Sequence, residues 1–217
     1  MPFPVVVAVA SLLAAGWDKI VLALKGKRLA VLGARGVGKT HLITFLSSGS
    51  IPAEYKQTLA PEKKSARRFQ LGDLDLKVKG SLDVSGDRVA YAEWKALHDE
   101  ADVVLYLMRA DRLAAGDADV ENRVRDDLRH IEDWLKARKP RPKFFVVGTH
   151  CDLDAVFVGL SPARKGEYVD RFRQLPIVSE AVLRAGGAQA AKVVLGSMKT
   201  VGDTEALVSQ LFMQVVS

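Results

Sequence analysis

Short apolar runs alternate along this chain with longer segments in which apolar residues recur every three or four positions. Runs of the first kind are typical of buried strands, and segments of the second kind are typical of helices with one face in a core. The predicted strands cover residues 27–32, 74–82, 102–108, 144–147 and 193–195. The predicted helices cover residues 41–46, 87–100, 117–139, 164–174, 175–184 and 203–216. Strands that alternate with helices predict an α/β fold.

A glycine-rich loop lies between the first predicted strand and the first predicted helix. Residues 33–40 read Gly-Ala-Arg-Gly-Val-Gly-Lys-Thr, and the spacing G-x-x-x-x-G-K-[ST] in this context is typical of a phosphate-binding loop. The glycines let backbone N–H groups turn toward phosphate oxygens, and the helix start adds the positive end of its dipole. We expect Lys39 to bind the β- and γ-phosphates and the Thr40 hydroxyl to ligate Mg²⁺. The expected phosphate-binding residues are Gly33, Ala34, Arg35, Gly36, Val37, Gly38, Lys39, Thr40 and His41.

Four further motifs follow this loop in chain order. Thr58 lies in a loop nineteen residues after Lys39, and Asp-Val-Ser-Gly at 83–86 follows a predicted strand. Thr-His-Cys-Asp at 149–152 and Gly-Ser-Met-Lys at 196–199 follow two more strands. In these motifs and their order the chain resembles the Ras-like small GTPases, a group that includes the Ras, Rab and Arf proteins, over about residues 27–217.

The resemblance implies a P-loop NTPase fold, with a mostly parallel six-stranded sheet, helices on both faces and the nucleotide at the carboxyl ends of the strands. It implies that residues 26–217 form the GTPase domain, with an insertion around 153–190 that is either a partner surface or only a longer connection. The implied ligands are GTP or GDP and Mg²⁺. The implied partners are protein effectors and regulators.

Residue roles follow from the same resemblance. Asp83 would hold Mg²⁺ through water, Thr58 would close over the metal and position the attacking water, and the Gly86 N–H would contact the γ-phosphate. Asp152 would accept hydrogen bonds from guanine N1–H and N2–H₂, although an aspartate after a strand is also common in turns. The residues expected at the base are Thr149, His150, Asp152, Ser197, Met198 and Lys199, and those expected at the metal are Thr40, Thr58 and Asp83. Among the base residues, the Met198 N–H would donate to guanine O6 and Ser197 would brace the loop, although a serine there could also cap a helix.

Three departures from the family pattern affect the predicted activity. Thr-His-Cys-Asp stands where the family has Asn-Lys-x-Asp, and we expect guanine selection to be retained. Asp87 stands where a glutamine usually orients the hydrolytic water, and an acceptor-only carboxylate predicts slow hydrolysis. Arg35 in the phosphate loop is either an arginine that neutralises developing charge or, as we favour, a solvent-facing side chain. The candidate catalytic residues are Thr58, Gly86, Asp87 and Arg35.

The predicted function is a GTP-binding molecular switch that hydrolyses GTP slowly. A nucleotide-binding scaffold without turnover is the first alternative, because Asp87 and the altered base motif are both unusual. A P-loop ATPase or kinase is the second alternative, which Asp152 and Ser197 disfavour.

Composition and charge exclude few further functions or partners. The 217 residues carry a net charge of +6, with a sequence pI near 9.4. Basic residues are scattered in groups at 25–28, 63–64, 67–68 and 138–143, which we interpret as solvated surface, so no nucleic-acid partner is expected. The single cysteine, Cys151, can form no internal disulfide and is interpreted as a packing position under the base-binding loop.

The amino-terminal segment is unusually apolar. Residues 1–17 carry no charged side chain, and no basic group precedes the apolar run as it would in a signal peptide. A spanning helix needs about 17–25 apolar residues, so this one spans only if it continues through Asp18 and Lys19 to Leu24. Positive residues follow it, which favours a domain on the cytoplasmic side. We therefore treat residues 1–25 as an anchor that contacts a membrane through 3–24, or alternatively as an element packed on the domain.

Overall fold

The computed structural model describes residues 25–48, 67–71, 74–80 and 89–216. In these ranges six strands form one sheet: β1 (Arg28–Gly33), β2 (Arg67–Leu71), β3 (Leu74–Gly80), β4 (Val103–Arg109), β5 (Lys143–Thr149) and β6 (Ala191–Leu195). Their order across the sheet is β2-β3-β1-β4-β5-β6. The edge strand β2 runs antiparallel to β3, and every other pair of neighbours is parallel.

Eight α-helices are described with the strands. They are α1 (Lys39–Ser48), α2 (Val89–Glu100), α3 (Ala110–Ala114), α4 (Ala118–Ala137), α5 (Ala155–Gly159), α6 (Lys165–Arg173), α7 (Pro176–Arg184) and α8 (Val201–Val216). Short 3₁₀ turns at Cys151–Leu153 and Pro162–Arg164 connect β5 to α6 by way of α5. Within the described ranges, no helix is both long and apolar enough to cross a bilayer.

The strands β1, β4, β5 and β6 are buried on both faces of the sheet, and successive residues of each strand point to opposite sides. In β1, Ala30 and Leu32 belong to the core formed with α2, α4, α6 and α7, whereas Leu29 and Val31 belong to the core formed with α1 and α8. The strands β4, β5 and β6 alternate in the same way. The predicted α/β fold with a parallel sheet and helices on both faces is therefore confirmed.

Several helix boundaries differ from the prediction by one or two residues, and two of them have local causes. The last helix begins at Val201 rather than at residue 203, because the Thr200 hydroxyl accepts a hydrogen bond from the Asp203 backbone N–H at 3.1 Å and donates to its carboxylate at 2.7 Å. The hydroxyl of Thr200 therefore caps the amino end of the helix, which starts directly after this residue. The long helix α4 ends at Ala137 rather than at residue 139, ahead of Pro140.

The strand order reverses direction at β1, which has β3 on one side and β4 on the other. The loop after β1 therefore leaves the sheet at a point where neighbouring connections diverge to opposite faces. In open α/β sheets this crevice at the carboxyl ends is where ligands bind. The topology places the predicted phosphate loop at this position.

The region around 153–190 folds onto the same core. Tyr168 and Phe172 of α6 and Val178 of α7 are buried with the side chains of α4. Salt bridges from Arg125 to Glu180 at 3.5 Å and from Arg184 to Glu132 at 2.6 Å join α7 to α4 at the surface. The interpretation of this region as an insertion stays a prediction.

A glycine at the end of β5 gives a test of this packing. In Gly148→Ala the new Cβ would lie 2.1 Å from Leu195 Cδ2 and 3.1 Å from Ala110 Cβ, in a fully buried layer. We expect the free energy of unfolding in urea to fall by about 1–3 kcal/mol, as in other overpacked cores. The matched control is Gly159→Ala, where no atom lies within 4 Å of the new Cβ. That change should stay within about 0.5 kcal/mol, and equal losses for the two variants would contradict the packing described.

Candidate functional site

The backbone of the predicted phosphate loop requires its glycines. Gly36 and Gly38 have φ angles of +78° and +91°, which a residue with a side chain adopts only with strain. Gly33 is closely packed, because a Cβ there would lie 2.4 Å from the Leu107 carbonyl oxygen of β4. The loop therefore passes close to the neighbouring strand before α1 begins at Lys39.

The Lys39 side chain folds back over this loop. Its ammonium donates to the carbonyl oxygens of Gly33 at 2.9 Å and Ala34 at 2.8 Å, and the residue is only 4% exposed. A buried charge costs several kcal/mol unless hydrogen bonds compensate for its lost water, so these carbonyls help to stabilise the ammonium in place. Thr40 follows in the first turn of α1 and is half-buried. A cation and a hydroxyl thus lie together at the helix start.

Thr149 joins three parts of the site. Its side chain is fully buried, and Oγ1 lies 3.0 Å from the Val37 carbonyl oxygen of the phosphate loop and 3.1 Å from the Met108 carbonyl oxygen of β4. It also lies 2.8 Å from Nδ1 of His150. A hydroxyl has one proton, so it donates to one carbonyl at a time and can accept from His150. Thr149 therefore contacts both the phosphate loop and the end of β4.

His150 turns the chain at the end of β5. Its φ of +60° is left-handed, and its ring lies beside Gly38, since Cε1 would be 3.8 Å from a Cβ on that glycine. Burial lowers the pKa of His150, and the nearby Arg109 guanidinium lowers it further. The imidazole is therefore neutral at pH 7. A neutral imidazole can pack against the face of another aromatic ring.

Asp152 and Ser197 lie on two adjacent loops and contact each other. The Ser197 hydroxyl donates to Oδ1 of Asp152 at 2.8 Å and accepts from the Lys199 N–H at 3.0 Å. The backbones of the two loops are also joined, by Cys151 N–H donating to Gly196 O at 3.3 Å. Ser197 is almost fully buried, whereas Asp152 is half-exposed, so the carboxylate is held by its neighbour and still accessible.

Met198 and Lys199 follow Ser197 in the same loop. Met198 is 7% exposed and lies against the phosphate loop, because a Cβ on Gly38 would come within 2.3 Å of its Cε. Lys199 is exposed beside it. Beneath them Cys151 is fully buried, and burial raises its pKa to about 12, so the thiol stays protonated as expected of a packing position.

The remaining predicted residues are located only in part. Arg35 is exposed on the phosphate loop, and His41 is half-buried in α1, where burial lowers its pKa. Four predicted residues fall outside the described ranges, namely Thr58, Asp83, Gly86 and Asp87. Of the three predicted Mg²⁺ ligands the structure therefore locates Thr40.

No protein-family model and no curated protein matches this sequence. Solved structures match it in fold. An ADP-ribosylation-factor-like GTP-binding protein, the small COPII coat GTPase Sar1 from Encephalitozoon cuniculi in complex with GDP, aligns at 15% identity with a TM-score of 0.55, over 96% of this chain and 87% of that chain. The small GTPase Arl6 (BBS3) from Trypanosoma brucei with bound GppNp aligns at 15% identity with a TM-score of 0.50, over 88% of this chain and 99% of that chain. The chain has the fold of a small GTPase.

The structure contains a charged cluster beside the phosphate loop that the sequence did not predict. Asp127 of α4 is fully buried and accepts hydrogen bonds from Tyr91 at 2.8 Å, Tyr106 at 2.9 Å and Arg123 Nε at 2.9 Å. Burial raises the pKa of Asp127, while Arg123 and the two tyrosines oppose that shift. Arg123 also lines a cavity of about 180 Å³ that reaches Arg35 of the phosphate loop.

A periodicity signal could have identified Asp127. It lies three residues after Val124 and four before Ile131, which both belong to the apolar stripe of α4. A carboxylate on the buried face of a small-GTPase fold must be paired, because an isolated buried charge is too costly. The identity of its partners cannot be read from α4 alone, since Tyr91 and Tyr106 come from α2 and β4.

The contacts of Thr149 can be tested without nucleotide. Thr149→Val keeps the shape of the side chain but removes a buried donor and acceptor from the junction of Val37, Met108 and His150. We expect the free energy of unfolding in urea to fall by roughly 1–3 kcal/mol. Thr149→Ser keeps the hydroxyl and removes one methyl group, so its loss should be about 1 kcal/mol or less. A larger loss for serine than for valine would show that the hydroxyl does not join these segments.

Proposed function

We propose that this protein is a GTP-binding molecular switch that hydrolyses GTP slowly to GDP and phosphate. The observation that carries the proposal is the position of the Asp152 carboxylate, which Ser197 holds at the same edge of the sheet as the phosphate loop. A phosphate loop by itself is compatible with any nucleoside triphosphate. A fixed carboxylate on the adjacent loop adds selection of the base.

The base contacts follow from hydrogen-bonding capacity. An ionised carboxylate only accepts, and guanine offers it two donors, N1–H and N2–H₂, that adenine lacks at those positions. Because Ser197 donates to Oδ1 of Asp152, the rotation of this carboxylate is restricted before the base arrives. The Met198 N–H donates to guanine O6, and the neutral His150 ring covers one face of the base in this proposal. Thr149 and Lys199 complete the loop contacts.

The phosphates and the metal are assigned to the other half of the site. Lys39 exchanges its carbonyl partners for β- and γ-phosphate oxygens, and the glycine-loop N–H groups bind the same phosphates. Two hydroxyls and one carboxylate, from Thr40, Thr58 and Asp83, are the oxygen ligands that suit Mg²⁺ together with phosphate and water. Mg²⁺ supplies charge neutralisation at the phosphates. The structural neighbours carry GDP and GppNp, which supports this choice of ligand.

Switching and hydrolysis are assigned to the segments around Thr58 and after Asp83. The γ-phosphate orders these segments through Thr58 and the Gly86 N–H, and its loss releases them. Asp87 cannot donate a hydrogen bond as the usual glutamine does, so the transition state lacks one stabilising contact. Arg35 is exposed on its loop, which supports the interpretation that its side chain faces solvent.

Two alternative functions can be distinguished from a GTP-hydrolysing switch by measurement. A nucleotide-binding scaffold would bind GTP with the same selectivity but show no single-turnover hydrolysis. A P-loop ATPase or kinase would bind ATP at least as tightly as GTP. We also propose protein effectors and regulators as partners, since a switch acts through proteins that distinguish its two states.

We further propose that residues 3–24 attach the domain to the cytoplasmic face of a membrane. Their composition is apolar and uncharged apart from Asp18 and Lys19, and basic residues follow them at 25–28. In this division of the chain, residues 1–25 are the anchor and residues 26–217 are the switch domain. Packing of the same segment on the domain is the alternative.

Base selection is the sharpest test of the proposal. The wild-type protein should bind GTP more tightly than ATP by at least about tenfold in calorimetry, because only guanine pairs with Asp152. Asp152→Asn exchanges one acceptor for a donor, so it should lose that preference and bind xanthosine triphosphate better. Asp170→Asn makes the same chemical change on the exposed face of α6 and should leave all three affinities unchanged.

Lys39→Ala serves as the reference for lost phosphate binding and should weaken GTP and ATP alike. Equal wild-type affinities for ATP and GTP would contradict guanine selection. Unchanged GTP affinity in Lys39→Ala would contradict the position of the phosphate site.

Turnover is tested by single-turnover hydrolysis of GTP in magnesium buffer. The wild-type rate should be about 10⁻⁴ to 10⁻³ per second, as for unstimulated small GTPases, because Asp87 lacks an amide donor. Asp87→Gln should raise that rate. Arg35→Ala should leave it unchanged, since an exposed side chain stabilises no developing charge.

Two outcomes would count against this account of turnover. A loss of about tenfold or more in Arg35→Ala, with nucleotide affinity preserved, would make Arg35 a catalytic residue. A wild-type rate near about one per second without an activator would contradict slow hydrolysis altogether.

A further inference from the structure

The amino ends of the strands carry a cluster of cations that no part of the nucleotide site uses. A cavity of about 240 Å³ lies there, and its charged lining residues are Lys27, Arg138, Arg141, Lys143 and Asp102. Lys25 and Lys139 are exposed at its margin by their positions in the chain. We call the cavity and these six lysine and arginine side chains the basic groove.

The fold assembles the basic groove from two distant parts of the sequence. The strands β1, β4 and β5 begin side by side, because Asp102 N–H donates to Arg28 O at 2.8 Å and Lys143 N–H donates to Asp102 O at 3.0 Å. The basic groups at 25–28 and 138–143 are therefore neighbours in space. The two groups are mostly exposed, as expected of solvated surface, but they are scattered only in the sequence and not in space.

Cations predominate at this end of the molecule. With Arg28 they number seven, whereas Asp102 lines the cavity and Asp99 and Glu100 precede it in the chain. Asp102 pairs with Arg28 at 3.3 Å, and Asp99 pairs with Lys95 of its own helix at 2.5 Å. The excess of positive charge therefore persists after these pairs are formed.

Two of the six cations of the basic groove are held by hydrogen bonds to the fold. The Arg138 guanidinium donates to the His98 carbonyl oxygen, and the Lys143 ammonium donates to the Val215 carbonyl oxygen. The other four, Lys25, Lys27, Lys139 and Arg141, are exposed. Lys27, Lys139 and Arg141 are the ones to remove in a test, because their loss leaves the contacts of Arg138 and Lys143 intact.

We propose that the basic groove binds the headgroups of anionic lipids, so that the domain lies on a membrane with the amino ends of its strands toward the lipid. The proposal rests on the membrane attachment proposed for residues 3–24. Those residues lead directly to Lys25 at the margin of the groove, so a bilayer that holds them lies within reach of the cations. Negatively charged headgroups complement the charge of the groove.

The same orientation leaves the nucleotide site accessible. The groove lies at the amino ends of the strands, and the phosphate loop lies at their carboxyl ends. A strand of six or seven residues is roughly 20 Å long, so the two sites are separated by the length of the strands. Nucleic acid is also anionic, but it gives no role to the apolar segment that joins the groove.

The first experiment measures the preference of the full-length chain for anionic vesicles. Binding is compared between phosphatidylcholine vesicles and vesicles with about one third phosphatidylserine, an anionic fraction typical of a polybasic-surface assay. Each cation near such a surface strengthens binding by about fivefold, so Lys27→Gln/Lys139→Gln/Arg141→Gln should reduce the preference by on the order of 100-fold. The preference of the wild type should also fall as salt is added.

A matched variant removes the same charge elsewhere. Arg129→Gln/Lys165→Gln/Arg171→Gln changes three exposed cations on α4 and α6 and should keep the wild-type lipid preference. GTP binding is measured on all three proteins and should be unchanged. Failure to bind GTP would therefore count against the proposed nucleotide function and not against the groove.

Several outcomes would overturn the proposal. Equal binding of the wild type to both kinds of vesicle would leave attachment by residues 3–24 standing and remove the role of the groove. No binding to either kind would remove both. Loss of binding to a short DNA or RNA duplex in the groove variant, with its lipid preference kept, would identify the groove as a nucleic-acid site instead.

A second experiment measures the orientation of the domain on the membrane. Ala118 and Ala137 are exposed at the two ends of α4, roughly 28 Å apart at 1.5 Å per residue, and Ala137 adjoins the groove. Cys151 is fully buried with its pKa raised to about 12, so a thiol reagent at neutral pH labels a cysteine introduced at either alanine. With quenchers on anionic headgroups, the fluorophore on Ala137→Cys should be quenched more than that on Ala118→Cys. Equal quenching would contradict the orientation.

Discussion

The buried hydroxyl of Thr149 is the contact on which the arrangement of the candidate site depends. It lies within hydrogen-bond distance of the phosphate loop at Val37, of β4 at Met108 and of the His150 ring. Because these segments are distant in sequence, only a short polar side chain at the end of β5 can join them. The hydroxyl of Thr149 thereby contacts both the phosphate half and the base half of the candidate site.

Two buried charged groups of this molecule have hydrogen-bond partners that compensate for lost water. Lys39 is buried against two carbonyl oxygens, and Asp127 is buried against two tyrosines and an arginine. Each group is held in one geometry because a buried charge without partners is prohibitively costly. The ammonium of Lys39 is thereby held beside the phosphate loop. Asp127 instead connects α2, α4 and β4 near the same loop.

The sequence predicted the elements of the fold well where its periodicity was long or its apolar runs were continuous. The strands β4 and β5 and the helix α4 are observed close to their predicted limits. The edge strand β2 was not singled out, because an antiparallel edge strand has neither a continuous apolar run nor a motif. The start of α8 was displaced by two residues, since Thr200 rather than Asp203 provides the cap.

The sequence by itself determined the class of fold and the candidate residues for binding phosphate and base, because glycine spacing, Lys39 and Asp152 are local chemical signals. Only the tertiary structure decided which of these residues touch one another, as Ser197 touches Asp152 across 45 positions of the chain. It also decided that the basic groups at 25–28 and 138–143 form one surface. Such contacts depend on the pairing of strands far apart in sequence, and pairing is set by burial of the whole sheet rather than by any local pattern.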